Sequence, residues 1–361
     1  MSVTRLTHPR SQTGRGRPKR RDDTGKPNAQ YNRRKHVSQP FDAVLVIAFG
    51  GPHAPPDIRP FLANVLRGRR VAAGRVEEVA HHYEVVGGRS PITELTMKQA
   101  EGLAKRLSAA GEGLPVFVGM RNWHPFLADT LAEMSRAGIR RAIGVIAAAH
   151  RSYSSCTQYR ENVAEARAAL LRDGLADVEV TYVADWYAHP LFIAANAERV
   201  NTAAANLDPA LRDRAQLIFT AHSIPVSMAE KYPYREQYQE SAVQVASALG
   251  RTSHTTVYQS RSGRPEDPWL GPDITEYLRE AHANGLAAAI VSPLGFICDH
   301  VEVLYDLDIE AAAVAREIGL PMVRAQAVND HPLFLDMLAD VVLQTRRRYD
   351  KSRPLELVAA P

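Results

Sequence analysis

The chain of 361 residues contains only two cysteines, Cys156 and Cys298. Two thiols cannot form a disulfide framework, and without Cys-x-x-Cys spacing they do not make a structural zinc site. No apolar run approaches the ~18 residues that span a bilayer; the longest are Ala43 to Phe49, Ala142 to Ala149 and Leu286 to Val291. No signal peptide is visible, so the expected setting is a reducing cytoplasm, with the protein soluble or at most peripheral to a membrane. Familiar cofactor loops are missing as well. Gly111-Glu-Gly113 lacks a third glycine and precedes a strand, which leaves a dinucleotide site unsupported, and there is no Walker-type loop. Ser223 adjoins His222, but no Gly-x-Ser-x-Gly elbow exists to aim it as a nucleophile.

What is present is unevenly charged. The formal net charge is +4, yet residues 1–36 hold eleven Lys/Arg against Asp22 and Asp23, a net +9. The remainder carries thirty-three basic against thirty-eight acidic residues, a net −5. Segment 1–36 has almost no apolar side chains, so ordering it would cost entropy with no burial to offset it; it reads as a disordered basic tail with no specific nucleic-acid partner.

From Phe41 onward, short apolar runs alternate with amphipathic segments. Strands are expected near 43–49, 115–119, 141–148 and 178–183, then near 215–221, 254–259, 287–292 and 321–324. Runs that are apolar throughout belong to strands covered on both faces, hence to parallel sheets between helices. The pattern predicts an α/β protein of two Rossmann-like doubly wound domains, each with a four-stranded parallel sheet, and a cleft between them. The expected lobes are 41–185 and 186–328, with a helix over 329–350 packing back on the body. In such folds ligands sit beyond the carboxyl ends of strands.

The densest such segment is Ser292 to Glu310, which follows the run Leu286 to Val291 and carries Asp299, His300, Glu302, Asp306, Asp308 and Glu310. If 300–310 is helical, Glu302, Asp306 and Glu310 fall at i, i+4 and i+8 on one stripe, while Val303, Leu304 and Leu307 can face a core. Stacked carboxylates repel one another, and a cation would relieve them; a solvated acidic face is the alternative. Another strand end carries His222, which could share the cleft with Glu302.

In order along the chain, Phe49-Gly-Gly-Pro52, Arg67-Gly-Arg69, Tyr83 to Pro91, Ala221-His-Ser-Ile-Pro225, Gln259-Ser260, Pro268-Trp-Leu-Gly-Pro272 and Gly295 to Glu310 resemble the ferrochelatases, which insert ferrous iron into a porphyrin in haem synthesis. The likeness runs from about Phe41 to Val342. It implies a porphyrin in the cleft, His222 and Glu302 as the metal-site pair and catalytic groups, and Asp306 and Glu310 as an acidic line leading to an outer metal position.

Metal insertion needs a site that captures Fe²⁺, releases it, and removes two pyrrole protons. An imidazole and a carboxylate suit borderline Fe²⁺, and two ligands hold it loosely enough for transfer. The same groups are the available bases, and the residue types do not say which takes the protons. Porphyrin carboxylates call for guanidinium partners, for which Arg67, Arg69, Arg70, Arg121 and Arg151 stand on suitable loops; Phe49, His150 and Trp269 complete the expected porphyrin set.

Some ferrochelatases carry a [2Fe–2S] cluster on four cysteines. Cys156 resembles the first of these, but 331–361 has no cysteine, so no cluster and no cofactor beyond substrate Fe²⁺ is expected. Phe49 stands where some members place a tyrosine. The arginine-rich loops favour coproporphyrin III over protoporphyrin IX, and a monomer is expected. A cobalt or nickel chelatase of a sirohydrochlorin-like ring, or a non-catalytic porphyrin carrier, are the competing readings.

Overall fold

In the computed structural model, residues 41–68, 74–262 and 266–351 are described, the side chains of the last two excepted. Segment 1–36, Arg69 and Arg70 lie outside them.

Strand β1 (Ala43–Ala48) shows why its run is apolar throughout: all six residues are buried. Ala43, Leu45 and Ile47 pack on one face with Leu127, Leu131, Tyr159 and Val163. Val44, Val46 and Ala48 pack on the other with Leu103, Leu107 and Phe334. Alternation along a strand sends neighbours to opposite faces, so a sheet covered on both sides needs apolar residues at every position. Each fully buried Val, Leu or Ile adds about 1.5–3 kcal/mol of transfer energy.

Strands β2 (Val116–Met120), β3 (Arg141–Ile146) and β4 (Glu179–Tyr182) complete the first sheet in the order β2-β1-β3-β4. All its pairings are parallel. Helices α1 (Ile58–Val65), α2 (Arg75–Val85), α3 (Ile92–Ala109), α4 (Leu127–Arg136) and α5 (Gln158–Arg172) lie between or beside them. Helix α6 (Pro190–Ala204) then leads to the second sheet: β5 (Gln216–His222), β6 (Thr255–Gln259), β7 (Ala289–Ser292) and β8 (Met322–Arg324), ordered β6-β5-β7-β8 and again parallel. Its helices include α7 (Tyr234–Ala248) and α8 (Ile274–Ala283), and α9 (Pro332–Lys351) packs on α3 and α6. The α/β architecture of two doubly wound, four-stranded parallel sheets is as expected from the sequence, with strand limits within about two residues.

The stretch after β7 departs from expectation. A single helix was expected over 300–310; instead a short turn, Val301–Val303, runs into a π-helical segment, Leu304–Ala311, before α-helix resumes at Ala312–Glu317. A π-helix bonds i to i+5, a rare choice that no local propensity announces. Val303 and Leu307 are fully buried, whereas Leu304 is only partly so.

Candidate active site

Strand parity aims His222. On β5, Ile218, Thr220 and His222 share a face, and Ile218 packs there with Val303 and Leu307 of the post-β7 segment. That segment reaches His222 because the loop after β7 crosses the end of β5 in close contact: the Gly295 N–H donates to the Thr220 carbonyl at 2.9 Å. A Cβ on Gly295 would sit 2.4 Å from the Ala221 Cβ and 2.6 Å from its Cα. Only glycine permits this approach, which carries Glu302 to the histidine.

The result is a pair. His222 Nε2 lies 3.7 Å from Glu302 Oε1, with the side chains 32% and 44% exposed. His222 Nδ1 donates to the carbonyl of Ser223, a bond that leaves Nε2 as the nitrogen offered to Glu302 or to a metal. Burial opposes charge on this imidazole, but Glu302 attracts the proton more strongly and, with the Ser223 carbonyl, pushes its pKa up to about 9. Burial likewise opposes the Glu302 carboxylate, and His222 outweighs it, bringing the group down to about 2. The metal-free pair is therefore imidazolium and carboxylate across the neutral range.

His300 caps the short turn: its Nδ1 accepts from the Glu302 N–H at 3.2 Å, and its Nε2 faces Glu302 Oε2 at 4.0 Å. Burial lowers its pKa, so it buttresses Glu302 as a neutral ring. Asp306 is 8% exposed and accepts from the Ser260 hydroxyl and from Gln259 Nε2, the latter at 3.3 Å. Ser260 reaches it from a left-handed backbone (φ 61°), a conformation costing a non-glycine residue about 1–2 kcal/mol. Burial pushes the Asp306 carboxyl up to about 7 against the Ser260 hydrogen bond, with Glu302 and Glu310 adding to the rise. Glu310 is exposed, and its pKa is raised by partial burial and by the charges of Asp273 and Glu78.

Of the expected metal residues, His222 and Glu302 stand together as a pair, while Asp306 and Glu310, expected as an acidic line leading outward, both lie on the π-helical segment Leu304–Ala311. Among the described residues no three His, Cys, Asp or Glu side chains gather to hold one ion. His222 and Glu302 form the inner pair, and Asp306 is committed to Ser260 and Gln259. Two further acids of the stretch are structural: Arg324 binds Asp299 at 2.8 Å and also pairs with Asp308.

The expected porphyrin residues part company. Phe49 packs edge-on against Phe61, and the Arg121 guanidinium lies 5.8 Å from the Phe49 ring and 4.7 Å from that of Tyr159 while Nε donates to Asn162. Arg67 is exposed and donates to Asn64 at 2.6 Å. Arg151 is exposed and pairs with Asp185 at 3.3 Å. Trp269 lines a groove of about 360 Å³ with Val226, Arg235, Tyr258 and Leu270, which contains neither His222 nor Glu302. His150 is corrected outright: it is 2% exposed, its Nε2 meets Ser241 Oγ at 3.0 Å, and its ring packs against Tyr234 and Tyr238. Burial pushes its pKa down to about 3, so it is a neutral core residue. Cys298 is also core, its thiol pushed up to about 12 by burial.

Sequence reasoning missed the aromatic rim. Tyr83, Tyr159 and Tyr234 are buried and all feel the Glu302 charge, which adds to burial in raising their pKa values. His82 of α2 also interacts with Glu302, and it stacks on Tyr305 at 3.7 Å and 10°. Tyr83 and Tyr159 stood within stretches that the sequence marks, but nothing local marked Tyr234 or His82.

Comparison with known proteins gives the family. The family model described as Ferrochelatase matches residues 41–346. A ferrochelatase of Rhodopirellula baltica is 43% identical over 304 residues, 84% of this chain and 86% of that protein. A coproporphyrin III ferrochelatase of Mycolicibacterium smegmatis is 43% identical over 305 residues, 84% and 89% of the two chains. One from Streptomyces griseus is 42% identical over 335 residues, 89% of each. Among solved structures, SirB from Bacillus subtilis with Fe³⁺ has a TM-score of 0.54 at 9% identity, covering 88% of this chain and all of that one, which shows the fold alone. The chain belongs to the ferrochelatase family.

Proposed function

We propose that this protein is an enzyme of haem synthesis that inserts Fe²⁺ into a porphyrin, coproporphyrin III in preference to protoporphyrin IX. The observation that carries it is the His222–Glu302 pair, 3.7 Å apart, a two-group site able to hold a borderline metal loosely and to accept protons. The preference for coproporphyrin III is supported by the similarity to coproporphyrin III ferrochelatases. It is supported too by Arg67, Arg121 and Arg151, guanidinium groups suited to the substrate's carboxylates. Phe49, Trp269, Arg69 and Arg70 remain candidates for contact with the macrocycle.

The chemistry follows from charge. Fe²⁺ displaces the proton from His222 Nε2 and gains Glu302 as its second ligand. As the metal moves to the four pyrrole nitrogens, two N–H protons must leave; the imidazole, now free of metal, and the Glu302 carboxylate take one each. Asp306, poised near neutrality at about 7, accepts protons from Glu302 and passes them outward to Glu310. The products are the iron porphyrin and two protons.

We assign the lobes to 41–185 and 186–328 with 329–350 closing the body, and a cytoplasmic setting. Among the described residues no helix is long and apolar enough to cross a membrane. Two cysteines alone cannot supply the four thiolates of a cluster, which supports a cofactor-free enzyme.

The test is anaerobic mixing of purified protein with Fe²⁺ and either porphyrin, following the absorption change on metallation. Turnover with coproporphyrin III, lost in His222→Ala while porphyrin binding persists, is expected. No turnover above background with either ring refutes the activity, and turnover with Co²⁺ alone would shift the assignment to a cobalt chelatase.

A further inference from the structure

His222 is held from behind by a helix that the metal chemistry does not itself require. The Tyr234 hydroxyl, at the first residue of α7, donates to the main-chain carbonyl of His222 at 2.9 Å. Tyr234 is 5% exposed, so this bond is shielded from competing water.

Within the next two turns the same helix is fastened to the loop after β3 and to the stretch that follows β4. Ser241 Oγ meets His150 Nε2 at 3.0 Å and donates to the Tyr187 carbonyl at 2.9 Å. Gln237 accepts from the Arg151 N–H at 2.8 Å and donates to Asp185 at 3.2 Å. His150 also packs edge-on against the Tyr234 ring, centroids 6.3 Å apart. Gln237 and Ser241 are buried. The buried face of one helix thus ties the loop after β3 to the backbone of His222.

We propose that Tyr234 is a positioning residue for metal capture: through its bond to the His222 carbonyl, braced across the lobes by Ser241 and His150, it fixes the imidazole at the separation from Glu302 that a shared metal ion needs. The inference rests on the assignment of His222 and Glu302 as the metal pair. The imidazole is otherwise anchored by its Nδ1 bond to Ser223, the next residue of the same chain end. Both anchors therefore shift together if the carbonyl is released, and an error of about 1 Å in a reacting group can cost on the order of a hundredfold.

Tyr234→Phe removes the hydroxyl and leaves no cavity. With wild-type turnover established first, the variant should raise KM for Fe²⁺ roughly tenfold, the scale of one buried acceptor losing its donor. Its affinity for coproporphyrin III without metal should stay within about twofold of wild type. In the metal-free protein, ¹⁵N resonances of the His222 ring should move while those of His189 and His331 stay put. Ser241→Ala, which loosens only the brace, should raise the Fe²⁺ KM in the same direction by a smaller factor. Wild-type Fe²⁺ KM in Tyr234→Phe, or equal losses in metal and porphyrin binding with an unmoved His222 resonance, overturns the positioning role. An unchanged KM in Ser241→Ala overturns the brace. Failure of wild-type turnover would instead strike at the activity, and Zn²⁺ binding compared between Tyr234→Phe and His222→Ala keeps the two failures apart.

Discussion

Replacing Glu302 by Gln isolates the electrostatics of the pair to which metal capture is assigned in the proposed function. At 3.7 Å, unit charges attract by ~1 kcal/mol in bulk water and ~4.5 kcal/mol at the effective dielectric near a protein surface. At about 1.36 kcal/mol per pH unit, that moves the imidazole midpoint by roughly one to three units. The side chains are 32% and 44% exposed, so water screening keeps the effect below the upper figure. The value of about 9 for His222 falls within this span. In Glu302→Gln burial still opposes the charge while the main attraction is gone, so His222 should titrate below about 7. The assay is a pH series of histidine side-chain ¹⁵N correlations on metal-free protein. Metal competes with the proton for Nε2, so apparent Zn²⁺ affinity of the wild type should rise about tenfold per pH unit up to about 9. A His222 midpoint in the variant within about half a unit of wild type would refute the pairing.

Other expectations follow from the same geometry. Because the His222 pKa is raised from 6.5 to about 9, its contribution to stability is complete below 6.5 and is lost as pH rises through 9. Because that of Glu302 is lowered from 4.5 to about 2, its contribution is complete above 4.5 and is lost as pH falls through 2. The Tm deficit of Glu302→Gln should therefore be largest between pH 4.5 and 6.5; a deficit that grows toward pH 9 contradicts it. Asp306, raised from 3.8 to about 7, penalises the fold increasingly as pH climbs through that range. Asp306→Asn should gain stability relative to wild type at pH 8 compared with pH 5, while turnover falls if the group passes protons; thermal melts and rates at both pH values decide. Arg324→Met leaves Asp299, 8% exposed, without its cation, and should cost about 3–5 kcal/mol in denaturant unfolding; a loss under 1 kcal/mol would contradict the buried-pair reading. Gly295→Ala forces a Cβ to 2.4 Å from that of Ala221. It should abolish turnover or folding, and a variant with near-wild-type rate and Tm would show that the loop yields freely.

Much of this protein is legible from local order. Ala43–Ala48 must be a doubly covered strand because both of its faces are apolar, and Arg141–Ile146 and Ala289–Ser292 are likewise buried at every position. The motif order around His222 and Glu302 could be read from the chain as well, since His222 ends one strand and Glu302 follows another. What the residues could not announce was the choice of partners. Asp299 and Asp308 resemble metal ligands as much as Glu302 does until Arg324 of β8 claims them, 25 and 16 residues away. His150 looked like a cleft residue until α7 buried it, and Tyr234 had no signal at all because its bond is to a main-chain carbonyl. Burial, hydrogen-bond partner and local field set the chemistry of an ionisable group, and these come from residues that meet only in the folded chain. Sequence determined which segments form the sheets and where their loops emerge; tertiary structure decided which of the many acids and histidines on those loops are claimed by other partners.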